Sequence, residues 1–252
     1  MSKKAIGIDI GGTGIKGAVV NVKTGELVGD RVRYETPEGG RPQDIAEVVQ
    51  KLIGELKNAK PHHTVGICFP AVVQHGRTMS AANVSKEWIG LDADALFTQE
   101  LGRSVHVVND ADAAGYAEIK FGAGRSKPGL VIMTTLGTGI GTALFMDGKL
   151  VPNAELGHLE IDGVDYETKA SFAAKERENL DWPAWIERLH KYYSTLERLF
   201  SPDLIIIGGG VSKEHENFLP HLGLKATVLP ALKRNNAGIL GAAALAKKEY
   251  KA

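Results

Sequence analysis

Three places in this chain gather side chains that could carry chemistry. The densest is NAELGHLEIDGVDYET, residues 153–168, which brings Glu155, His158, Glu160, Asp162, Asp165 and Glu167 together. On a helix, a Glu and a His three residues apart would share one face and could bind a metal. Gly157 and Gly163 break any such helix, and a metal site would want more hard ligands in a regular array. The stretch therefore reads as a loop rich in hydrogen-bonding groups.

The second place is VVNDADAAG, where a strand ends on Asn109-Asp110 and a helix begins. One of Asp110 and Asp112 serves as the helix N-cap. The other is spare at a strand C-terminus, where α/β proteins hold their ligands, and could take the proton of an attacking hydroxyl.

The third is a pair of glycine-rich turns, DIGGTGIK and LGTGIG. Such a turn aims several backbone N–H groups into one concavity, and glycine lets a phosphate come close. The first adds the Thr13 hydroxyl and the Lys16 ammonium, the second the Thr138 hydroxyl. One such turn alone is a tight hairpin, but two in matching places, each with three glycines and a Thr between, point to phosphate. Asp9 precedes the first turn, either as a turn cap or as a carboxylate meeting phosphate through hydrated Mg2+.

These groups need strands ending in turns, and the hydrophobic pattern supplies them. Ile6, Ile8 and Ile10 alternate ahead of the first turn, and Ala18–Val20 carry the next strand. Residues 42–59 change to helical spacing, with Ile45, Val48, Val49, Leu52, Ile53 and Leu56 on one face. TVGICF and SVHVVND read as strands, and ADAAGYAEIKFGAG as a helix closing on Gly122. GLVIMTTLGTGIGTALFMDGKLV then repeats the opening pattern, with a tight Asp147-Gly148 turn. The tetrapeptide GTGI stands at residues 12–15 and again at 137–140, which argues for two related halves. Residues 182–200 form a helix whose aromatics suit a core or a subunit contact, and PDLIIIGGGV is a buried strand ending in a glycine turn. The expected domains are 1–109 and 110–236, both α/β, with a small-residue helix over 237–252 packing back on the first.

Composition excludes several classes. Lys plus Arg and Asp plus Glu both number 30, so no global field draws the chain to nucleic acid or to an anionic membrane. Cys68 is the one cysteine, which permits no internal disulfide and fits a reducing compartment. No apolar stretch approaches a membrane span or a signal peptide, so the expected location is the cytoplasm.

Taken together, the two hairpins, Asn109-Asp110, the Gly-Gly-Gly turn after LIII and the Glu155-Leu156-Gly157-His158 loop resemble the ROK family of sugar kinases. The resemblance runs from Ile6 to about Leu245 and implies a two-domain α/β fold of the actin-like, hexokinase type (ribonuclease H-like), with duplicated halves and a cleft between them. It implies Asp110 as general base and Asn109, Glu155, His158 and Glu167 as contacts to sugar hydroxyls, with Gly66 and Asn83 in segments lining the sugar cleft. Asp9, Gly11, Gly12, Thr13 and Lys16 fall on the first phosphate motif, and Gly137, Thr138 and Gly139 on the second. Gly208, Gly209 and Gly210 fall on the turn that faces the nucleoside in ATP-using members.

A ring of sugar hydroxyls wants convergent donors and acceptors, which answers what the acid-rich loop is for; Glu160, Asp162 and Asp165 are left to solvent. Many members hold a structural zinc after this loop. Here DGVDYETKAS stands in that place and the lone cysteine is far upstream, so no zinc is expected and the loop must be ordered otherwise. The central segment TLGTGIGTALFMDGKLVPNAELGHLEIDG is similar to that of members using inorganic polyphosphate. The implied reaction is phosphorylation of the glucose 6-hydroxyl, extending to mannose, from polyphosphate with ATP as a second donor and Mg2+ as cofactor, in a homodimer. Lys213, Lys233 and Arg234, followed by Asn235 and Asn236, are the cations available to a long polyanion. The competing readings are a strictly ATP-dependent kinase, a non-catalytic sugar sensor or repressor, for which the start of the first strand at residue 5 leaves no helix-turn-helix, and an actin-like filament or chaperone ATPase.

Overall fold

A computed structural model describes residues 3–249 of the chain, which divide into two compact units. The first comprises the residues up to Ala117 together with those from Asn236 on, and the second comprises Glu118–Asn235. Asp110 thus belongs with the first unit.

In the first unit, β1 (Lys4–Ile10) and β2 (Ile15–Asn21) form an antiparallel hairpin that pairs Ile10 with Ile15 across the glycine turn. Two short strands, β3 (Glu26–Leu27) and β4 (Val32–Tyr34), both pair with β2. Helix α1 (Pro42–Glu55) follows, with Pro42 in its first turn, where a missing N–H costs nothing. It ends sooner than residue 59, because Leu56 turns to an extended ψ of 97° and buries its side chain outside the helix. Strand β5 (Val65–Phe69) runs parallel to β1, and a small hairpin, β6 (Val73–Gln74) and β7 (Arg77–Thr78), leads to α2 (Ala93–Leu101). Strand β8 (Val105–Asn109) closes the sheet in the order β3-β2-β1-β5-β8 and feeds α3 (Asp110–Phe121).

Alternation along β1 sorts its side chains between two faces. Ile6, Ile8 and Ile10 join Ile45, Val49 and Leu52 of α1 in one fully buried cluster. The other face is bare: Gly7 of β1 is in register with Gly66 of β5. Into that trough fits the C-terminal helix, Ala237–Glu249, which contacts β1, β5 and β8. The same helix also lies close against α3, where a Cβ on Gly241 would lie 1.7 Å from the Ala113 carbonyl oxygen.

This packing gives Gly66 a structural reason to be glycine, apart from any place beside a sugar site. A Cβ on Gly66 would stand 2.0 Å from the carbonyl oxygen of Ala242, so the residue is glycine because a helix backbone occupies the space. Gly66→Ala should destabilise the fold by about 1–3 kcal/mol, the usual range for overpacking, measured as a lower thermal midpoint. An unchanged midpoint would mean that the helix is not seated on β5.

The second unit repeats the opening hairpin. Strands β9 (Leu130–Leu136) and β10 (Ile140–Met146) pair Leu136 with Ile140 across the second glycine turn. The Asp147-Gly148 turn, with both residues at positive φ, leads to β11 (Lys149–Val151). A two-stranded hairpin follows, β12 (Glu160–Ile161) and β13 (Val164–Asp165), and then two short helices, α4 (Glu167–Ala170) and α5 (Phe172–Arg177). Helix α6 (Trp182–Phe200) is capped by Asp181, whose carboxylate accepts from the Ala184 N–H at 2.9 Å. Strands β14 (Leu204–Gly208) and β15 (Thr227–Pro230) complete a sheet ordered β11-β10-β9-β14-β15. The aromatics of α6 are core: Trp185, Tyr192 and Tyr193 are fully buried with Phe218. The C-terminal helix Ala237–Glu249 is α7.

Candidate active site

In the first unit, the ends of β1, β5 and β8 lie side by side, with Asp9 beside Cys68 and Phe69 beside Asn109. The Asp9 carboxylate is held on both oxygens. Lys16 Nζ lies 3.4 Å from Oδ2, and the Cys68 thiol donates to Oδ1 at 3.5 Å. Burial, reinforced by Asp9 and Asp110, pushes the Cys68 thiol well above its ordinary range, so it stays protonated as a donor. The α7 backbone presses on this pair, since a Cβ on Gly238 would meet Cys68 Sγ at 2.8 Å and Asp9 Cγ at 3.1 Å.

The turn between β1 and β2 closes with the Gly11 N–H donating to the Gly14 carbonyl at 3.0 Å, and the Thr36 hydroxyl donates to the Gly11 carbonyl at 2.5 Å. Its glycines are not there for left-handed backbone: Gly11, Gly12 and Gly14 are absent from the residues at positive φ. They make room. A Cβ on Gly12 would meet the Cβ of Asn83 at 3.0 Å, and one on Gly14 would meet the Arg33 guanidinium at 2.9 Å. Asn83 thus stands against the first turn, together with an arginine that the sequence pattern had not singled out. Arg33 is the cross-strand partner of Lys16 and reaches the Thr13 carbonyl at 3.4 Å.

At the start of α3, neither aspartate is the cap. Asn109 fills that role: its Oδ1 accepts from the Asp112 N–H at 3.0 Å, and its Nδ2 donates to the Ala71 carbonyl at 3.1 Å. Propensity ranks Asn and Asp alike as caps, and the residue that ends the strand takes the position. Asn109 is buried, and so is Asp112 at 2 % exposure, whereas Asp110 is exposed, with Oδ1 accepting from the Ala111 N–H at 2.8 Å. Of the two aspartates, only Asp110 is open to solvent.

In the second unit, the glycine turn and the acid-rich loop are one construction. The Gly137 N–H donates to the Gly139 carbonyl at 3.0 Å, and Thr138 is exposed at the tip. The Glu167 carboxylate lies on this turn, with Oε2 accepting from the Ile140 N–H at 2.6 Å, just where a Cβ on Gly139 would collide at 2.3 Å. Gly157 brings the loop down onto the same strand, since a Cβ there would sit 2.0 Å from the Ile140 carbonyl oxygen. The loop carries Glu155 and His158, both exposed, at the two ends of a single helical turn, Leu156–His158, which Glu155 immediately precedes. Tyr192 Oη holds that turn by donating to the Leu156 carbonyl at 3.0 Å.

Asp165, left to solvent in the sequence reading, is paired. Its Oδ2 lies 2.9 Å from His158 Nδ1, and its Oδ1 accepts from the Glu167 N–H at 3.2 Å. The Asp165 hydrogen bond raises the His158 pKa above its usual value, with Glu167 and Glu155 acting in the same direction against partial burial. Asp162 is paired as well, with Lys191. The signal for this arrangement is Asp162-Gly163, a two-residue turn at positive φ in both positions, which sets Asp165 opposite Glu160.

The third glycine turn adjoins the second. Gly209 has φ +87°, and a Cβ there would meet the Leu136 carbonyl at 2.1 Å, while around Gly210 the space is open. The segment after β15 is anchored by Glu118, which is fully buried and whose Oε1 accepts from the Lys233 N–H at 2.5 Å. Among the described residues, no group of three or more His, Cys, Asp or Glu side chains stands close enough to hold a metal, and no helix is long and apolar enough to cross a membrane.

Residues 5–179 match the ROK family. The polyphosphate glucokinase of Mycobacterium tuberculosis (strain CDC 1551 / Oshkosh) is 41 % identical over 242 residues, covering 96 % of this chain and 90 % of that protein. The crystal structure of an inorganic polyphosphate/ATP-glucomannokinase from Arthrobacter sp. strain KM superposes with a TM-score of 0.92 at 52 % identity, covering 98 % of this chain and all of the other. A ROK family glucokinase from Streptomyces griseus, in complex with glucose and AMPPNP, gives a TM-score of 0.82 at 26 % identity, covering 97 % and 99 % of the two chains.

Proposed function

The chain belongs to the ROK family and has its hexokinase-type, actin-like fold, and on that premise we propose that it phosphorylates the 6-hydroxyl of glucose from inorganic polyphosphate. ATP is a second donor, and mannose a further acceptor. The likeness to polyphosphate-using relatives extends over nearly the whole chain. The observation that carries the reading is Glu167: one carboxylate belongs to the loop suited to sugar hydroxyls and also caps the glycine turn suited to phosphate.

Asp110 accepts the 6-hydroxyl proton as that oxygen attacks the terminal phosphorus, and a polyphosphate shorter by one unit leaves. Glu155 and Glu167 accept from sugar hydroxyls, and His158 fixes a third; Asn109, capped into the backbone, orders the segment that carries Asp110. Backbone N–H groups of the turns at 11–14 and 137–139, with Lys16 and Arg33, meet the phosphates. A lone carboxylate beside such a turn suits Mg2+, which keeps most of its waters. Asp9 would hold it through water, and the ion would supply charge neutralisation between donor and acceptor.

Offering polyphosphate, ATP and GTP separately with glucose tests the reading. Glucose 6-phosphate should form from polyphosphate; if only ATP yields product, the donor assignment fails. Salt gives a second measure. By analogy with single-stranded nucleic acid, each cation engaged by a polyanion contributes about −0.7 to the slope of log affinity against log salt. Polyphosphate KM should therefore rise more steeply with salt than ATP KM. Neutralising Lys233 and Arg234 together should flatten the polyphosphate slope alone, and equal slopes for both donors would remove these cations from the path.

A further inference from the structure

We propose that Asp165 is a positioning residue for hexose recognition, acting through His158 and Glu167 without touching the sugar itself; this rests on the sugar-kinase reading above. The carboxylate uses both oxygens as acceptors, one toward His158 Nδ1 at 2.9 Å and the other toward the Glu167 N–H at 3.2 Å. The Thr168 hydroxyl adds a third tie, donating to the Asp165 carbonyl at 2.7 Å. Glu167 passes the constraint on to the Ile140 N–H beside the glycine turn. One aspartate, set in place by the Asp162-Gly163 hairpin, thereby fixes the His158 ring and the backbone from which the Glu167 side chain extends.

The chemistry sets the tautomer. A carboxylate only accepts, so His158 donates from Nδ1, and in its neutral form Nε2 keeps a lone pair for a sugar hydroxyl. The charged groups facing the ring are Asp165, Glu167 and Glu155, all acidic, so protonation is favoured and Nε2 then donates. In Asp165→Asn, one oxygen is replaced by NH2. The Glu167 N–H can only donate and therefore retains the remaining oxygen. The NH2 then faces His158 Nδ1, which must accept, and the neutral ring flips to the Nε2–H form. Protonation now opposes an NH2 group, so the His158 pKa falls.

Nitrogen-15 NMR of histidine-labelled protein reads this directly, with His158→Gln identifying the resonance. In the wild type, neutral His158 should carry its proton on Nδ1; an Nε2–H form would overturn the proposal without any variant. Asp165→Asn should switch the tautomer, lower the pKa and raise glucose KM roughly tenfold, the lower end of what orienting partners contribute at other sites, with donor KM and kcat within threefold. In a His158→Gln background, the same substitution should change glucose KM less than twofold. An unchanged His158 titration in Asp165→Asn, or an altered titration with unchanged glucose KM, overturns the proposal. A wild-type protein that transfers nothing to glucose instead overturns the reading beneath it, and the histidine spectrum still reports on Asp165 by itself.

Discussion

Asp110→Asn should lower turnover by roughly a hundredfold or more, about 2.7 kcal/mol of transition-state stabilisation, while glucose affinity stays within a few-fold. An amide keeps the shape of the side chain and can still hydrogen-bond the acceptor, so binding survives. It cannot take a proton at neutral pH, and the attacking oxygen then carries its hydrogen into the transition state. The fold isolates the test well. Asn109, not Asp110, caps α3, so replacing Asp110 removes no helix cap. Asp110 is exposed whereas Asp112 is buried at 2 % exposure, so a substitute base has no easy route to the hydroxyl. Single-turnover phosphorylation of glucose by the variant, alongside equilibrium glucose binding, gives the result. Near wild-type turnover would assign the proton to another group.

What could be read from residue order was the scaffold, because its signals are local. Two copies of GTGI between apolar strands become two hairpins in equivalent places, one at the head of each unit. The small-residue C-terminal stretch becomes α7, lying on the bare glycine face of the first sheet. Positions whose roles depend on a distant neighbour were less legible. Gly66 carries no mark that distinguishes lining a ligand site from making room for the Ala242 backbone. Asn109, Asp110 and Asp112 are all competent caps, and only the end of β8 decides among them. Arg33 is an ordinary charge on a three-residue strand until pairing places it across from Lys16. Asp165 was an exception of another kind. The Asp-Gly pair ahead of it is a strong hairpin signal, and reading Gly163 only as a helix breaker hid the consequence.

Glu167→Ala should be the most damaging change in the sugar loop, lowering kcat/KM for glucose by about 3 kcal/mol, the upper end of what the loss of a single charged hydrogen bond costs. Three consequences coincide. A sugar hydroxyl loses its acceptor and is left unpaired in the bound state. The Ile140 N–H, which Glu167 Oε2 accepts from at 2.6 Å, loses its partner. The turn at Gly137–Gly139, over which that carboxylate lies, loses the group that fixes it. The second and third effects act on the donor, so donor KM should rise along with glucose KM. Glu155→Ala lacks that link to the turn and should raise glucose KM with little change for the donor. Glu167→Gln separates the contributions further: its amide oxygen can still accept from Ile140, so donor KM should recover while glucose KM stays high. Initial rates over a matrix of glucose and donor concentrations resolve the two constants for each variant. If Glu167→Ala altered glucose KM alone, the carboxylate would be a sugar contact and nothing more. The hydrogen bond to Ile140 would then have no part in binding the donor.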